Sequence, residues 1–174
     1  MNMLDTAQKS YKQSGFTLIE LLVVIVIIGF LTGIVLMSID PQEYIRRSRD
    51  ARRVREVQLL VQAINAAVAD GDIQLTNTST CGTCNSSSLN IAVDGTGWVK
   101  FTNISGDGVG DYITGLPLDP VNSGSLVLSY MSDGFDFEIN TTLESAKYTP
   151  NMVKDGGDDL ASYEKGTSLK LIAP

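Results

Sequence analysis

The sequence contains no histidine, and only two of its 174 residues are cysteine. Without histidine the chain lacks the general base of Ser-His-Asp and Cys-His catalysis and the side chain that most often binds metals. Two cysteines are too few for a disulfide-rich scaffold or for a complete zinc cage. These absences argue against an enzyme, and we predict that the chain has no catalytic residues.

Charge is also missing from one long stretch, since no charged residue lies between positions 21 and 39. As a helix, residues 16–39 reach ~36 Å, which exceeds the ~30 Å of a bilayer's hydrocarbon core. No Ala-x-Ala pattern follows the apolar run, so cleavage behind it, as in a secretory signal peptide, is disfavoured. The stretch is therefore predicted to span a membrane.

One acidic residue lies at the start of this stretch. A charge such as that of Glu20 is costly in lipid and marks function by default, although near a helix end it can also reach the headgroups. The string Gly15-Phe16-Thr17-Leu18-Ile19-Glu20 resembles the processing site of bacterial type IV pilins and type II secretion pseudopilins. That resemblance implies a leader of residues 1–15, cleavage after Gly15 by a prepilin peptidase and N-methylation of Phe16. It also implies that Glu20 meets the Phe16 amine of a neighbouring subunit during assembly.

Two glycines divide the apolar stretch. Gly29 and Gly33 have the Gly-x-x-x-Gly spacing that lets helix backbones approach closely, but glycine is also common in membrane helices. We retain them as candidate helix-packing residues.

The basic residues predict an orientation that conflicts with the resemblance. Six arginines lie in one ten-residue window after the span, at 46–55, against Lys9 and Lys12 before the span. By the positive-inside rule this excess places the C-terminal part in the cytoplasm. The resemblance implies the opposite, with the leader inside and the remainder outside. We follow the resemblance.

Residues 42–69 change from a continuous apolar run to an amphipathic helical period. The apolar stripe consists of Val54, Val57, Val61, Ile64 and Val68, with Leu60 beside it. Asp70-Gly71-Asp72 is predicted to end this helix, and Asp40-Pro41 to kink or break the chain before it.

The arginine cluster on this helix contains Arg46, Arg47, Arg49, Arg52, Arg53 and Arg55. Acidic residues lie among them, including Glu43 at the favourable i,i+4 spacing from Arg47. We predict a solvated, salt-bridged face; lipid headgroup contact and a subunit interface are the alternatives.

Residues 73–88 are rich in Thr, Ser and Asn and are predicted to form a loop, in which Cys81 and Cys84 make a Cys-x-x-Cys motif. Redox and zinc motifs were the alternatives, but there is no βαβ pattern, no second Cys-x-x-Cys and no histidine. We favour a local Cys81–Cys84 disulfide.

The second half has the period of β-strands. Residues 126–130 and 135–140 alternate between apolar and polar, and Asp133-Gly134 between them predicts a hairpin turn. Residues 90–93 and 98–101 suggest further strands, whereas the Pro-containing residues 116–120 are predicted to lie outside any central strand. Together with the helices, this predicts an α+β fold: a long N-terminal helix whose second half packs on a small antiparallel sheet.

No cofactor is predicted, apart from a weak candidate for calcium. Asp155, Asp158 and Asp159 offer three carboxylates, the ligand type that Ca²⁺ prefers, but their spacing does not fit an EF-hand and a solvated acidic loop is the simpler explanation. From position 70 onward fourteen acidic residues face five basic ones. We therefore expect the globular part not to bind nucleic acid.

The predicted organisation is a leader at 1–15, a membrane-spanning or filament-core helix at 16–40, an amphipathic helix at 41–71 and a globular head at 72–174. The resemblance implies a structural subunit that assembles from the inner membrane into a pilus or a periplasmic pseudopilus. Its implied partners are copies of itself, a prepilin peptidase, the pilus or type II secretion assembly machinery and the bilayer. The alternative is a single-pass membrane protein with an acidic extracytoplasmic binding domain.

Overall fold

The computed structural model describes residues 15–38, 40–82 and 84–172. The predicted leader, with Lys9 and Lys12, lies outside the described residues except for Gly15. The chain forms two compact units, residues 1–40 and residues 41–174. We describe each unit by itself and call the second one the head.

In the described part of the first unit, Leu18–Ser38 form a helix, α1. Its segment Leu18–Leu36 has a mean hydropathy of 2.9, and none of this window is buried within the structure. By length and composition α1 is therefore able to cross a bilayer, as the sequence predicts.

The head begins with the 30-residue helix α2, Pro41–Asp70. Pro41 stands at the first helical position, where its missing N–H is not needed, so the predicted break before it coincides with a helix start. At the other end Gly71 adopts a φ of +79°, and the Asp72 and Gly71 N–H groups donate to the Ala67 and Val68 carbonyls at 2.9 and 3.2 Å. These two bonds form a Schellman motif, which explains the predicted stop.

One face of α2 contributes to the core of the head. Val57, Leu60 and Ile64 of the predicted stripe are buried, and Val54 and Val61 are partly buried. Val68 was predicted wrongly, because it is 41% exposed while the smaller Ala67 is fully buried. The core is completed by side chains from the sheets and loops, among them Trp98, Val99, Val109, Leu128, Phe137 and Ile139.

The described residues of the head form two small antiparallel sheets. The first pairs β1, Ile73–Leu75, with β2, Phe101–Asn103. The second has the order β3-β4-β5, formed by Ser129–Ser132, Phe137–Thr141 and Tyr163–Gly166. The observed fold is therefore α+β, with α2 packed on antiparallel sheets as predicted.

The predicted hairpin is confirmed. Its two strands, β3 and β4, begin and end one to three residues later in the sequence than predicted. In its turn the Asp133 carboxylate accepts the N–H groups of Phe135 and Asp136, both at 2.8 Å, and Gly134 has a φ of +100°. Phe135, predicted within the strand, lies in this turn and is 89% exposed.

Three strand predictions need correction. Residues 73–75 form β1 although we predicted a loop, because Ile73 is buried in the core and pairs with Asn103. Residues 90–93 form no strand, and of residues 98–101 only Phe101 belongs to one. Residues 163–166, in a stretch for which no strand was predicted, add β5 to the edge of the hairpin. Residues 116–120 lie outside any strand, as predicted.

Candidate functional site

The predicted cleavage site lies in non-helical backbone. Gly15, Phe16 and Thr17 precede the first residue of α1, and the Phe16 side chain is 91% exposed. An exposed, non-helical segment presents the Gly15–Phe16 peptide bond in a form that a peptidase is able to bind.

Glu20 takes part in a capping box at the start of α1. Its Oε2 accepts the Thr17 N–H and the Thr17 hydroxyl, both at 2.7 Å, and its own N–H donates to Thr17 Oγ1 at 3.3 Å. The pattern Thr-x-x-Glu before an apolar run is the sequence signal for this cap, and we overlooked it in the sequence. Glu20 therefore satisfies backbone groups of its own helix, whatever else it contacts.

Phe16 and Glu20 lie on one side of the helix start. Together with Ile19, Val23 and Val24 they line a shallow depression of ≈ 350 Å³. This surface is apolar apart from the carboxylate, and its residues are exposed. The arrangement offers one charged group beside a surface that gains from being covered by lipid or by another apolar helix.

Gly29 and Gly33 lie within α1, four residues apart. A Cβ atom added at either glycine would meet nothing within 4 Å. The two glycines thus leave open space along one side of the helix, where their role in packing stays a prediction.

The arginine cluster on α2 is divided between surface and interior. The predicted Glu43–Arg47 pair is confirmed at 2.9 Å. The prediction of a fully solvated face is wrong for Arg53, which is 0% exposed and lies among three carboxylates. Its Nε and Nη2 donate to both oxygens of Asp119 at 2.5 and 3.0 Å, and its Nη1 donates to Asp50 at 2.8 Å and Glu144 at 2.7 Å.

The carboxylates around Arg53 also hold the loops of the head. Asp50 accepts the N–H and hydroxyl of Ser145 at 2.7 and 2.6 Å, while Asp119 accepts the N–H groups of Val121 and Asn122. We call the set of Asp50, Arg53, Asp119 and Glu144 the Arg53 network. It fixes two distant loops to the first half of α2.

The contacts of this network shift the pKa of Arg53 and that of Glu144. Burial lowers the pKa of Arg53, but its hydrogen bonds to Asp119 and Glu144 raise that pKa by more, so the guanidinium stays charged. Glu144 also accepts two bonds from Arg49, both at 2.9 Å. The hydrogen bond from Arg49 holds the pKa of Glu144 below its usual value, helped by Arg53.

Cys81 and Cys84 form a disulfide in the structure. The Cys84 side chain belongs to the core, and the Cys84 carbonyl accepts the Tyr130 N–H at 2.9 Å, next to the hairpin. The bridge therefore lies in a loop that is packed on the sheet, a position that suits a structural role.

The calcium candidates have other contacts. Asp155 accepts the N–H groups of Gly157 and Glu164 at 3.0 and 2.9 Å, and Asp159 accepts the Ala161 N–H at 2.8 Å. Within the described ranges of the chain, no group of three or more Asp, Glu or Cys side chains is arranged to hold a metal ion. Calcium binding at Asp155, Asp158 and Asp159 remains an untested prediction.

Comparison with known proteins finds similarity to one class. Residues 10–36 match the family described as "Prokaryotic N-terminal methylation motif". The chain is 46% identical over 59 residues to "Fimbrial protein Q" of Moraxella bovis. The aligned segment covers 34% of this chain and 36% of that protein. It is 42% identical over 59 residues to a "Fimbrial protein" of Pseudomonas aeruginosa, 34% of this chain and 37% of the relative. The "Type IV major fimbrial protein FimA" of Dichelobacter nodosus is 44% identical over 59 residues, 34% of this chain and 36% of the relative.

The similarity is to proteins that carry an N-terminal methylation motif, and in this chain it includes most of α1. Over these 59 residues the chain is similar to type IV fimbrial proteins. The chain spans little more than a third of the length of the curated relatives it matches. No solved structure matches the chain significantly.

Proposed function

We propose that the chain is a type IV pilin: a precursor that is cleaved after Gly15, N-methylated at Phe16 and assembled from the membrane into a filament. The observation that carries this proposal is the motif from Gly15 to Glu20, exposed directly before a helix long enough to span a bilayer. The similarity to fimbrial proteins supports a pilus over a pseudopilus. Its work is structural, and its main partners are other copies of the chain.

Cleavage creates the charge that Glu20 needs. In lipid, an unpaired carboxylate costs several kcal/mol, so Glu20 must be paired or neutralised. The new amino terminus of Phe16 has an ordinary pKa of about 8 and is largely cationic at neutral pH. We propose that the Glu20 carboxylate of one subunit binds the Phe16 amine of the next. This pair selects the axial register, while the apolar side chains of α1 supply most of the stabilisation.

The capping box suggests an experiment that separates the two roles of Glu20. Glutamine also serves at the third position of a capping box, so Glu20→Gln keeps the cap but removes the charge. Conversely, Thr17→Val removes the capping hydroxyl and keeps the charge. If the charge sets the register, filaments fail in Glu20→Gln and persist in Thr17→Val.

The measurement is electron microscopy of sheared surface fractions, with immunoblots that show equal amounts of mature protein. Filaments of normal yield from Glu20→Gln, with few from Thr17→Val, would assign Glu20 to helix capping alone. Mass spectrometry and N-terminal sequencing of the membrane-extracted wild-type protein test the processing step. They should give N-methyl-Phe16 as the first residue, and uncleaved chains in cells with an active prepilin peptidase would contradict the proposal.

A further inference from the structure

Two carboxyl groups are buried on the side of the three-stranded sheet opposite Ile139. Glu138 on β4 and Glu164 on β5 are both 0% exposed. The register pairs Glu138 with Gly166 and Asn140 with Glu164, so the two glutamates are diagonal neighbours on one face. Diagonal neighbours lie roughly 7–8 Å apart, a distance that two glutamate side chains are able to close.

The chain after β4 covers this pair. The N–H groups of Leu171 and Ile172 donate to Glu138 Oε2 at 2.7 and 3.0 Å, and the Asp159 N–H donates to Glu164 Oε2 at 3.3 Å. Gly157 lies so close that a Cβ atom there would be 1.5 Å from Glu164 Oε2. We call residues 155–159 and 171–172 the C-terminal cover.

The second oxygen of each carboxyl group lacks a donor. Oε1 of Glu138 and Oε1 of Glu164 are both buried and accept no N–H or O–H from the described residues. Burial, together with a hydrogen bond to Glu138 and the charge of Glu138, raises the pKa of Glu164 to about 8. A hydrogen bond between the two carboxyl groups requires that one of them carries a proton.

The charged groups around Glu138 and Glu164 would not offset a second negative charge on this pair. Asp155, whose carboxylate accepts the Glu164 N–H, adds to the negative potential at Glu164, and the same cover contains two further acidic residues, Asp158 and Asp159. The Lys165 Nζ lies 5.3 Å from the Tyr163 ring centroid, and Lys170 is exposed. None of the ion pairs formed by the described residues includes Glu138 or Glu164.

We propose that Glu138 and Glu164 share one proton between their Oε1 atoms, and that loss of this proton releases the C-terminal cover from the sheet. The shared proton is the donor that both oxygens lack, and it leaves one negative charge for the backbone N–H groups of the cover. Deprotonation places two like charges in a buried site, and this is relieved when the cover opens and admits water. The proposal does not depend on filament assembly.

The test is amide hydrogen exchange of the full chain in detergent between pH 6 and pH 9. After correction for the base catalysis of exchange itself, the protection of the Asp159, Leu171 and Ile172 amides should fall above pH 8. The fall should be about tenfold at pH 9, one pH unit above the transition. Amides of the core strand β4 should not show this step.

Glu164→Gln supplies a permanent N–H donor to Glu138 and cannot be ionised. Its cover amides should therefore stay protected throughout the pH range. Asp158→Asn removes one exposed charge from the same cover and serves as the matched control, in which the step should persist. The same step in wild type and Glu164→Gln would overturn the proposal.

A second measurement keeps Glu138 and Glu164 intact and avoids any doubt about folding of the Glu164→Gln variant. Infrared difference spectroscopy should show the C=O band of a protonated carboxyl group at pH 7 that disappears reversibly by pH 9. Ordinary Asp and Glu side chains are fully ionised at pH 7, and recording the spectra in a Glu20→Gln background removes the one other carboxyl group that an apolar environment would neutralise, so this band then reports the shared proton. Its absence at pH 7 would also overturn the proposal.

Discussion

The head contains two groups of buried carboxylates, and they are stabilised in opposite ways. In the Arg53 network, three carboxylates surround one buried guanidinium and Arg49 contributes a second cation. On the outer face of the three-stranded sheet, Glu138 and Glu164 are both buried, and neither forms an ion pair with a cation among the residues that the structure describes. The first group depends on carboxylates that stay ionised, whereas the second depends on one that stays protonated.

This difference determines which part of the head is sensitive to acid and which to base. Protonation of the Arg53 network leaves an unpaired buried guanidinium, which is costly. Deprotonation of the Glu138–Glu164 pair leaves two buried like charges. Because the network holds loops against α2 and the pair holds the C-terminal cover, each pH limit loosens a different part of the head.

The largest expected effect comes from removing the central cation. Arg53→Met keeps much of the side-chain volume but leaves Asp50 and Asp119 buried without a cation. We expect the free energy of unfolding to fall by ~3–5 kcal/mol, the cost of breaking a buried ion pair from one side. Denaturant unfolding of the full chain in detergent can be followed through the fluorescence of the single tryptophan, Trp98, which is fully buried.

Arg46→Met is the matched control, because Arg46 is on the same helix and is exposed. It should change stability by less than ~0.5 kcal/mol. Equal losses of unfolding free energy in the two variants would mean that the Arg53 network stabilises the head no more than a surface arginine does. That result would contradict the comparison between the two buried carboxylate groups.

The next prediction concerns the pH dependence of stability. The pKa of Glu144 is lowered in the fold from its ordinary value of 4.5, so its contribution is present above pH 4.5 and lost as the pH falls through the folded pKa. The pKa of Glu164 is raised from 4.5 to about 8, so stability falls as the pH rises between these two values. We therefore expect stability to fall at acid pH because of Glu144 and to fall with rising pH because of Glu164.

Unfolding measured from pH 3 to pH 9 should separate the two contributions. In Glu144→Gln the free energy of unfolding should become less dependent on pH on the acid side only. In Glu164→Gln it should become less dependent on pH between pH 5 and pH 8 only. A variant that flattens both sides would show that the network and the pair titrate as one coupled system.

The sequence predicted the elements of the fold better than it predicted the burial of their charges. Hydrophobic period identified α1, α2 and the hairpin because each has a continuous apolar face. The strands β1 and β5 were missed because they are only three and four residues long and, unlike the equally short β3, have no hairpin turn signal beside them. Such short strands are defined by their partners, which lie far away in the sequence.

The two buried charge groups show the same limit. Arg53 is one of six arginines within ten residues of sequence. What distinguishes it is its contact with Asp119 and Glu144, which lie 66 and 91 positions away in the sequence. Glu138 alternates with apolar residues in a pattern that normally indicates a solvent-facing position. A cover formed by the end of the chain overrides that pattern. The cap of α1, by contrast, was readable from Thr17 and Glu20 alone.

A glycine beside the carboxyl pair gives a smaller test of the comparison. In Gly157→Ala the new Cβ would overlap the Glu164 carboxylate, so the cover or the side chain must shift. We expect a loss of ~1–3 kcal/mol, as for other overpacked sites, and a weaker pH dependence above pH 7. Gly82→Ala is the control, since a Cβ atom there meets nothing within 4 Å. Unchanged stability and pH dependence in Gly157→Ala would show that the cover is loosely held at neutral pH.

The smallest expected effect concerns an exposed ion pair next to the buried network. Arg52 lies one residue before Arg53, but its side chain is 53% exposed and its Nε is 3.5 Å from Glu56 Oε1. Solvent and salt screen such an i,i+4 pair, so Arg52→Gln should cost no more than ~0.5 kcal/mol at low ionic strength. The loss should vanish in 1 M salt, whereas the loss in Arg53→Met should largely persist, because burial excludes the screening ions. Urea unfolding of both variants at low and high salt makes the comparison. A loss in Arg53→Met that salt removes equally would mean that water and ions reach the Arg53 network, and that charge number, not burial, governs its strength.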